Sequence, residues 1–237
     1  PVDTDGNTQP ITSNTFDPLF FQRILIMQRG VLVDTSQYEH TLSIQTGGVT
    51  TLVAAPEVPG GLAVRINAAH NAGGILITPS VSAPTIFNQA SKGRCWEGFI
   101  KPATGSRAGG SQILYNTAFA FNGNLTFLQV TTGKLAIRND DLFDAVAPVE
   151  VSPIAENAWW YFIAQEYPTD VSSPSTSDKI RFWTGPVAGG IVTGFTSLQA
   201  VPAPIDPVSV GPYIGYVGGS GGVNDYLLGP YRISDGI

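Results

Sequence analysis

Few residues in this sequence are of types that do chemistry, and none stands at the spacing of a catalytic arrangement. Hydrolysis of a glycosidic bond needs two carboxylates projecting from one strand face, one as acid and one as nucleophile or base. The acidic run Asp140-Asp141-Leu142-Phe143-Asp144 follows a strand-like segment and reads as a solvated turn, while Glu150, Glu156 and Glu166 stand alone and read as surface residues. The two histidines, His40 and His70, have no Cys or third His at a zinc-ligand spacing. A structural role is expected for His40, and a hairpin turn for His70 in Asn67-Ala68-Ala69-His70-Asn71-Ala72-Gly73-Gly74. Gly218-Gly219-Ser220-Gly221-Gly222 spells Gly-x-Ser-x-Gly, but no helix follows it as in a nucleophile elbow, so it reads as part of a glycine-rich tip. The glycine-rich stretch from Gly215 to Gly222 lacks the Lys-Ser/Thr of a phosphate-binding loop and reads as a hairpin tip. The chain therefore reads as a non-enzyme with no cofactor. Calcium is the one metal chemistry left open, because it takes hard oxygen ligands, and Asn224-Asp225 beside that tip is the pair nominated for it. Sugar binding asks for an exposed aromatic platform, since apolar sugar faces stack on rings. Trp183, on the polar face of the alternating strand Lys179-Ile180-Arg181-Phe182-Trp183, is the candidate, whereas Trp96, Trp159 and Trp160 read as core or inter-sheet packing. The single Cys95 has no internal disulfide partner and reads as a buried thiol.

The elements that must position these residues are short. Charged residues make up 13% of the 237, against 27 Gly and 18 Pro, so a surface of Ser, Thr, Asn, Gln and backbone is expected around many turns. Leu42 and Ile44 alternate with polar residues, as do Leu62, Val64 and Ile66; Ile75 and Ile77 follow Gly73-Gly74. Further strand signals are 96–101, 125–131, 134–138, 159–164, 179–184, 208–215 and 226–233. Residues 17–30 are ambiguous: Asp17-Pro18 starts a helix well and Gly30 stops one, yet Ile24-Leu25-Ile26-Met27 suits a buried strand over 23–28. With no convincing long amphipathic helix, the pattern predicts an all-β sandwich of two stacked sheets. Loops are expected over 80–91, 105–111, 168–178 and 201–207. Residues 1–15 read as a polar arm and 16–237 as a single domain. The net charge of −6 and scattered Lys and Arg argue against a nucleic-acid partner. The longest apolar stretches, 19–27 and 158–164, fall short of the ~18–20 residues of a membrane span. Nothing at the N-terminus reads as a secretory signal, which suits assembly in the cytoplasm, with an extracellular location as the alternative.

The order of the strand motifs resembles the laminin-G-like, concanavalin A-like jelly roll found in bacteriophage and prophage virion proteins. The resemblance rests on Ile24-Leu25-Ile26-Met27, then Val33-Asp34-Thr35-Ser36 leading to Leu42, then Gly47-Gly48-Val49. Trp96-Glu97-Gly98-Phe99-Ile100-Lys101-Pro102, the hairpin Thr132-Gly133-Lys134-Leu135 and Asn157-Ala158-Trp159-Trp160-Tyr161-Phe162 follow. Pro212-Tyr213-Ile214-Gly215 and Tyr231-Arg232-Ile233-Ser234 close the series. The turn aspartate that similar proteins carry after the next strand is missing from Phe182-Trp183-Thr184-Gly185. The resemblance resolves residue 24 as strand and implies a two-sheet antiparallel jelly-roll sandwich. It further implies a virion structural protein, as capsid decoration or as a fibre or tail-associated module. The partners then expected are other virion proteins and the chain itself, with a trimer suited to virion architecture. A carbohydrate-binding adhesin or lectin for host surface glycans is the alternative. A polysaccharide-cleaving enzyme is the third reading, but the Glu-x-Asp-x-x-Glu pattern of similar jelly-roll glucanases is absent.

Overall fold

The computed structural model describes residues 22–26, 32–36, 38–45, 49–69, 74–78, 80, 94–105, 112–116, 126–131, 133–139, 143–146, 153–167, 179–188, 191–192, 195–200, 213–215 and 223–235. The arm expected at 1–15, the residues His70, Asp140, Asp141 and Glu150, and most of the expected loops lie outside them. Among the described residues there is no helix, and sixteen strands run in chain order. These are β1 (Gln22–Ile26), β2 (Thr41–Gln45), β3 (Val49–Ala54), β4 (Leu62–Ala69), β5 (Gly74–Thr78) and β6 (Arg94–Pro102). Next come β7 (Gln112–Asn116), β8 (Thr126–Thr131), β9 (Lys134–Asn139), β10 (Phe143–Val146) and β11 (Trp160–Tyr167). The series ends with β12 (Lys179–Ala188), β13 (Ile191–Val192), β14 (Phe195–Ala200), β15 (Tyr213–Ile214) and β16 (Val223–Asp235).

Every strand pair is antiparallel. One sheet has nine strands in the order β13-β12-β11-β6-β16-β4-β3, with β14 also on β12 and β1 also on β16; the other has seven, β10-β9-β8-β7-β15-β5-β2. The long last strand β16 keeps β6 on one side from Tyr226 to Asp235. On its other side it meets β4 over residues 223–228 and β1 over 231–234.

Alternation sorts the side chains between two faces. Trp96 and Ile100 of β6, Phe162 and Ala164 of β11, Val64 and Ile66 of β4, and Phe182 of β12 join Ile75, Ile77 and Leu135 of the opposite sheet in one buried cluster. Their neighbours in sequence point the other way. Phe99, Tyr161 and Ala63 form a second cluster with Trp159, Ala55 and Val58 on the outer face of the nine-stranded sheet. Trp159 is thus buried, as expected, in the cluster on that outer face and not in the one between the sheets. The turn at 55–61 folds over the same cluster, held by the Ala55 N–H donating to the Gly61 carbonyl at 2.8 Å.

A bulge reverses the alternation within β16. Leu228 opposes Ile100 and Tyr231 opposes Gly98, so Gly229 and Pro230 together face the single residue Phe99. The extra residue lets Tyr226, Leu228, Tyr231 and Ile233 all point inward, and it gives Pro230, which has no N–H, a place inside a central strand. Gly98 is required by the crowding there, since a Cβ on it would lie 2.8 Å from the Pro230 carbonyl oxygen and 2.9 Å from Tyr231 Cδ2.

Other local expectations differ from the structure. Phe143 and Asp144 belong to β10, which pairs with β9, so the acidic run is not all turn. No turn follows Thr184, because β12 continues through Gly185 to Ala188 against β11 and β13. That continuation explains the missing turn aspartate.

Candidate functional site

On the outer face of the nine-stranded sheet, β12, β11, β6 and β16 place Trp183, Ile163, Glu97 and Arg232 side by side in one cross-strand row. Three strand spacings of ~4.8 Å separate its ends, so the row is about 14 Å long. Glu97 is 5% exposed, and a carboxylate so buried requires partners. The Tyr161 hydroxyl, on β11 one row away, donates to Glu97 Oε2 at 2.5 Å. The Arg232 guanidinium pairs with Glu97 Oε1. With both oxygens engaged, Glu97 acts as an anchor that fixes the direction of the arginine and the tyrosine. The Arg232 side chain keeps 18% exposure, so it is not fully enclosed. Trp183 is partly buried and stands at the other end of the row, between Ile163 and Thr196.

The flanking row holds Gln165, Cys95 and Ser234. Burial pushes the Cys95 thiol up to about 11, against the opposing pull of Arg232 and of a hydrogen bond from Ser234. Burial also raises the Tyr161 phenol far above its ordinary value. Below that range the proton stays on the hydroxyl and Tyr161 remains a donor to Glu97. The rows beside Glu97 on this face bring no second carboxylate to it: they carry Gln165, Cys95 and Ser234 on one side and Tyr161 and Phe99 on the other. The face therefore offers an aromatic surface, a fixed guanidinium and an amide, which is the chemistry of holding a polar ligand.

The remaining candidates lie elsewhere. Asp225, of the pair nominated for calcium, is on β16 with its Oδ1 3.4 Å from Arg65 Nη2, and Asn224 is in the same strand opposite Ala68. Among the described residues no group of three His, Cys, Asp or Glu is placed to hold a metal. His40 is 3% exposed and belongs to a polar knot before β2. Asp34 Oδ2 accepts from the His40 N–H at 2.8 Å and from the Ser36 hydroxyl at 2.8 Å, while Asp34 Oδ1 accepts from the Ser36 N–H at 2.9 Å. The Ser80 N–H donates to His40 Nδ1 at 3.0 Å, which requires that nitrogen to carry no proton. These contacts tie the Asp34 turn to the start of β2 and to Ser80, which is a structural role. Glu156 Oε2 accepts from the Gly105 N–H at 2.9 Å and pins that turn. Glu166 stands opposite Arg94 in the ladder.

Of the residues in this arrangement the sequence singles out Trp183 but not Glu97, Tyr161 or Arg232. One signal was available: a lone carboxylate inside the apolar run Cys95-Trp96-Glu97-Gly98-Phe99 must be paired if that run is a strand.

No protein-family model and no curated protein sequence matches this chain. Among solved structures, the binding domain of botulinum neurotoxin DC in complex with rat synaptotagmin II superposes with a TM-score of 0.58 at 10% identity, over 91% of this chain and 47% of its own. A botulinum neurotoxin type C structure, described as entering cells through interaction with two ganglioside molecules, gives 0.56 at 11% identity over 92% and 48%. The serotype D binding domain gives 0.56 at 10% identity over 91% and 48%. The chain thus spans about half the length of these domains. At such identities the likeness is one of fold: the chain is an all-β, two-sheet antiparallel sandwich of the jelly-roll kind.

Proposed function

We propose that the chain is a non-catalytic recognition module, carried on a bacteriophage virion as a capsid decoration or in a fibre or tail, and that it binds host surface glycans. The observation that carries the recognition part is the row from Trp183 to Arg232. A partly exposed indole and a guanidinium held by Glu97 stand about 14 Å apart, enough for two or three sugar rings laid across four strands at ~4.8 Å each. The ring stacks on a sugar face while Arg232 and Gln165 meet hydroxyl or carboxylate oxygens. Engagement of both Glu97 oxygens supports the non-catalytic reading, since cleavage of a glycosidic bond needs a carboxyl group free to give or take a proton. The neurotoxin domains named above take gangliosides and synaptotagmin; because this chain covers less than half of each, they support a binding role for the fold without locating a site. The virion assignment, with assembly in the host cytoplasm, rests on the ordered strand motifs.

A glycan array probed with the purified chain tests the recognition part. Binding is expected, is expected to persist when calcium is chelated because Asp225 faces Arg65, and is expected to vanish in Trp183→Ala with the fold retained. A blank array with and without calcium would remove the glycan reading. The virion part is tested separately, by adding the chain to phage particles that lack it: failure to incorporate overturns it whatever the array shows.

A further inference from the structure

We infer that β3 is a self-docking edge, at which two copies of this chain pair their β3 strands antiparallel about a two-fold axis and join their nine-stranded sheets. Val33, Ile44 and Leu52 are large apolar side chains left exposed, at 46%, 50% and 49%. Two of them are on terminal strands: Ile44 on β2, the last strand of the seven-stranded sheet, and Leu52 on β3, the last of the nine-stranded sheet. Each belongs to the core-facing register. Leu52 opposes Val64 and Ile44 opposes Ile75, and both of those partners are buried in the inter-sheet core. The core is therefore open to water along the side where β2 and β3 end their sheets.

Among the described residues the edge strand carries no charge, proline or bulge of the kind that keeps edge strands apart. Val49-Thr50-Thr51-Leu52-Val53-Ala54 carries no charge and no proline, and its register with β4 runs unbroken from Val49 to Ala54 with no bulge. Proteins protect solvent-facing edges with Lys, Pro, bulges or short strands, because a flat uncharged edge is a template for another strand.

The occupant is a second copy because the strand is complementary to itself. A two-fold axis normal to the sheet, midway between the two strands, sets Leu52 opposite its own counterpart and Thr51 opposite Val53 of the other strand. Inward residues then stay inward, as pairing across a continuous sheet demands. The net charge of −6 opposes association of the chain with itself in general, but no charged side chain stands on the strand that pairs. Such a contact is isologous and closes after two copies.

The test is the oligomeric state of the full chain, by sedimentation equilibrium and light scattering across a dilution series. The expected result is a species of twice the 25.0 kDa chain, converted to monomer by Leu52→Lys and by Thr51→Lys. Thr51 alternates with Leu52 and lies on the outer side, so its variant leaves the core residue in place, and circular dichroism verifies that each variant is folded. A wild-type monomer at every concentration, a strict trimer, or a dimer indifferent to the folded Thr51→Lys variant overturns the inference. A monomer that instead captures a strand of another virion protein also overturns it. None of these outcomes depends on glycan binding.

Discussion

Glu97 is the residue on which the outer face turns. A glutamate between Tyr161 and Arg232 is costly to bury, and its stabilisation comes from being paired on both oxygens. Glu97→Ala is expected to cost about 3–5 kcal/mol, because it leaves the arginine charge uncompensated and takes the acceptor from the tyrosine. Replacing both charges, Glu97→Leu with Arg232→Met, is expected to recover most of that loss, since apolar residues of similar volume often substitute for a buried pair. Denaturant unfolding of the two variants checks the contrast. Glycan binding is expected to be absent from both, which separates positioning from stability. A second consequence is alkaline sensitivity. Burial moves the ionisation of Cys95, Tyr161 and Tyr226 to higher pH in the folded state, so the fold favours their protonated forms. Their contribution is complete below the unfolded thiol value of 9.0 and declines as pH rises toward about 11. Stability measured across that interval is expected to fall, and native Cys95 to resist alkylation below it.

Strands were legible wherever one face is buried and the other wet. The pattern Ile180, Phe182 against Arg181, Trp183 yields both β12 and the outward tryptophan, and Val64 with Ile66 yields β4. Strands without such contrast escaped: β3, a terminal strand with Leu52 half in water, and β7, β10, β13 and β14, short strands whose side chains give little periodic signal. The site was largely hidden, because Glu97, Tyr161 and Arg232 are distant in sequence and meet only through strand register. In β16 a further obstacle was the bulge, since Tyr226-Leu227-Leu228-Gly229-Pro230-Tyr231-Arg232-Ile233 changes parity in the middle and no single alternation fits it. That bulge is testable as an element. Gly98→Ala forces a methyl against the Pro230 carbonyl at 2.8 Å and the Tyr231 ring at 2.9 Å, both rigid. An overpacking cost of about 1–3 kcal/mol is expected, with a lowered midpoint of thermal unfolding. Because the same bulge determines which side of β16 Arg232 occupies, loss of glycan binding is expected to accompany it.

At the scale of the whole molecule, the topology places the last strand near the middle of a sheet. β16 contacts β6 from Tyr226 to Asp235 and both β4 and β1 on its other side, so residues 22–26, 62–69 and 94–102 are joined through residues 223–235. Contacts of such sequence separation must be closed late and at high entropic cost, so slow folding through populated intermediates is expected. It follows that the sandwich does not unfold from its C-terminal end by fraying. Deleting residues 223–237 removes the inward Tyr226, Leu228, Tyr231 and Ile233 from the core and leaves β4 and β6 each with an open edge at the centre of the sheet. The truncated chain is expected to lose cooperative unfolding altogether, to expose apolar surface to a hydrophobic dye and to aggregate. Deleting residues 1–15, a polar segment with little apolar area to bury, is expected to leave the unfolding midpoint unchanged. Calorimetry on the two deletions distinguishes a fold closed by its final strand from one built progressively along the chain. A cooperative transition retained in the C-terminal deletion would show that β16 is an addition to an already complete sheet.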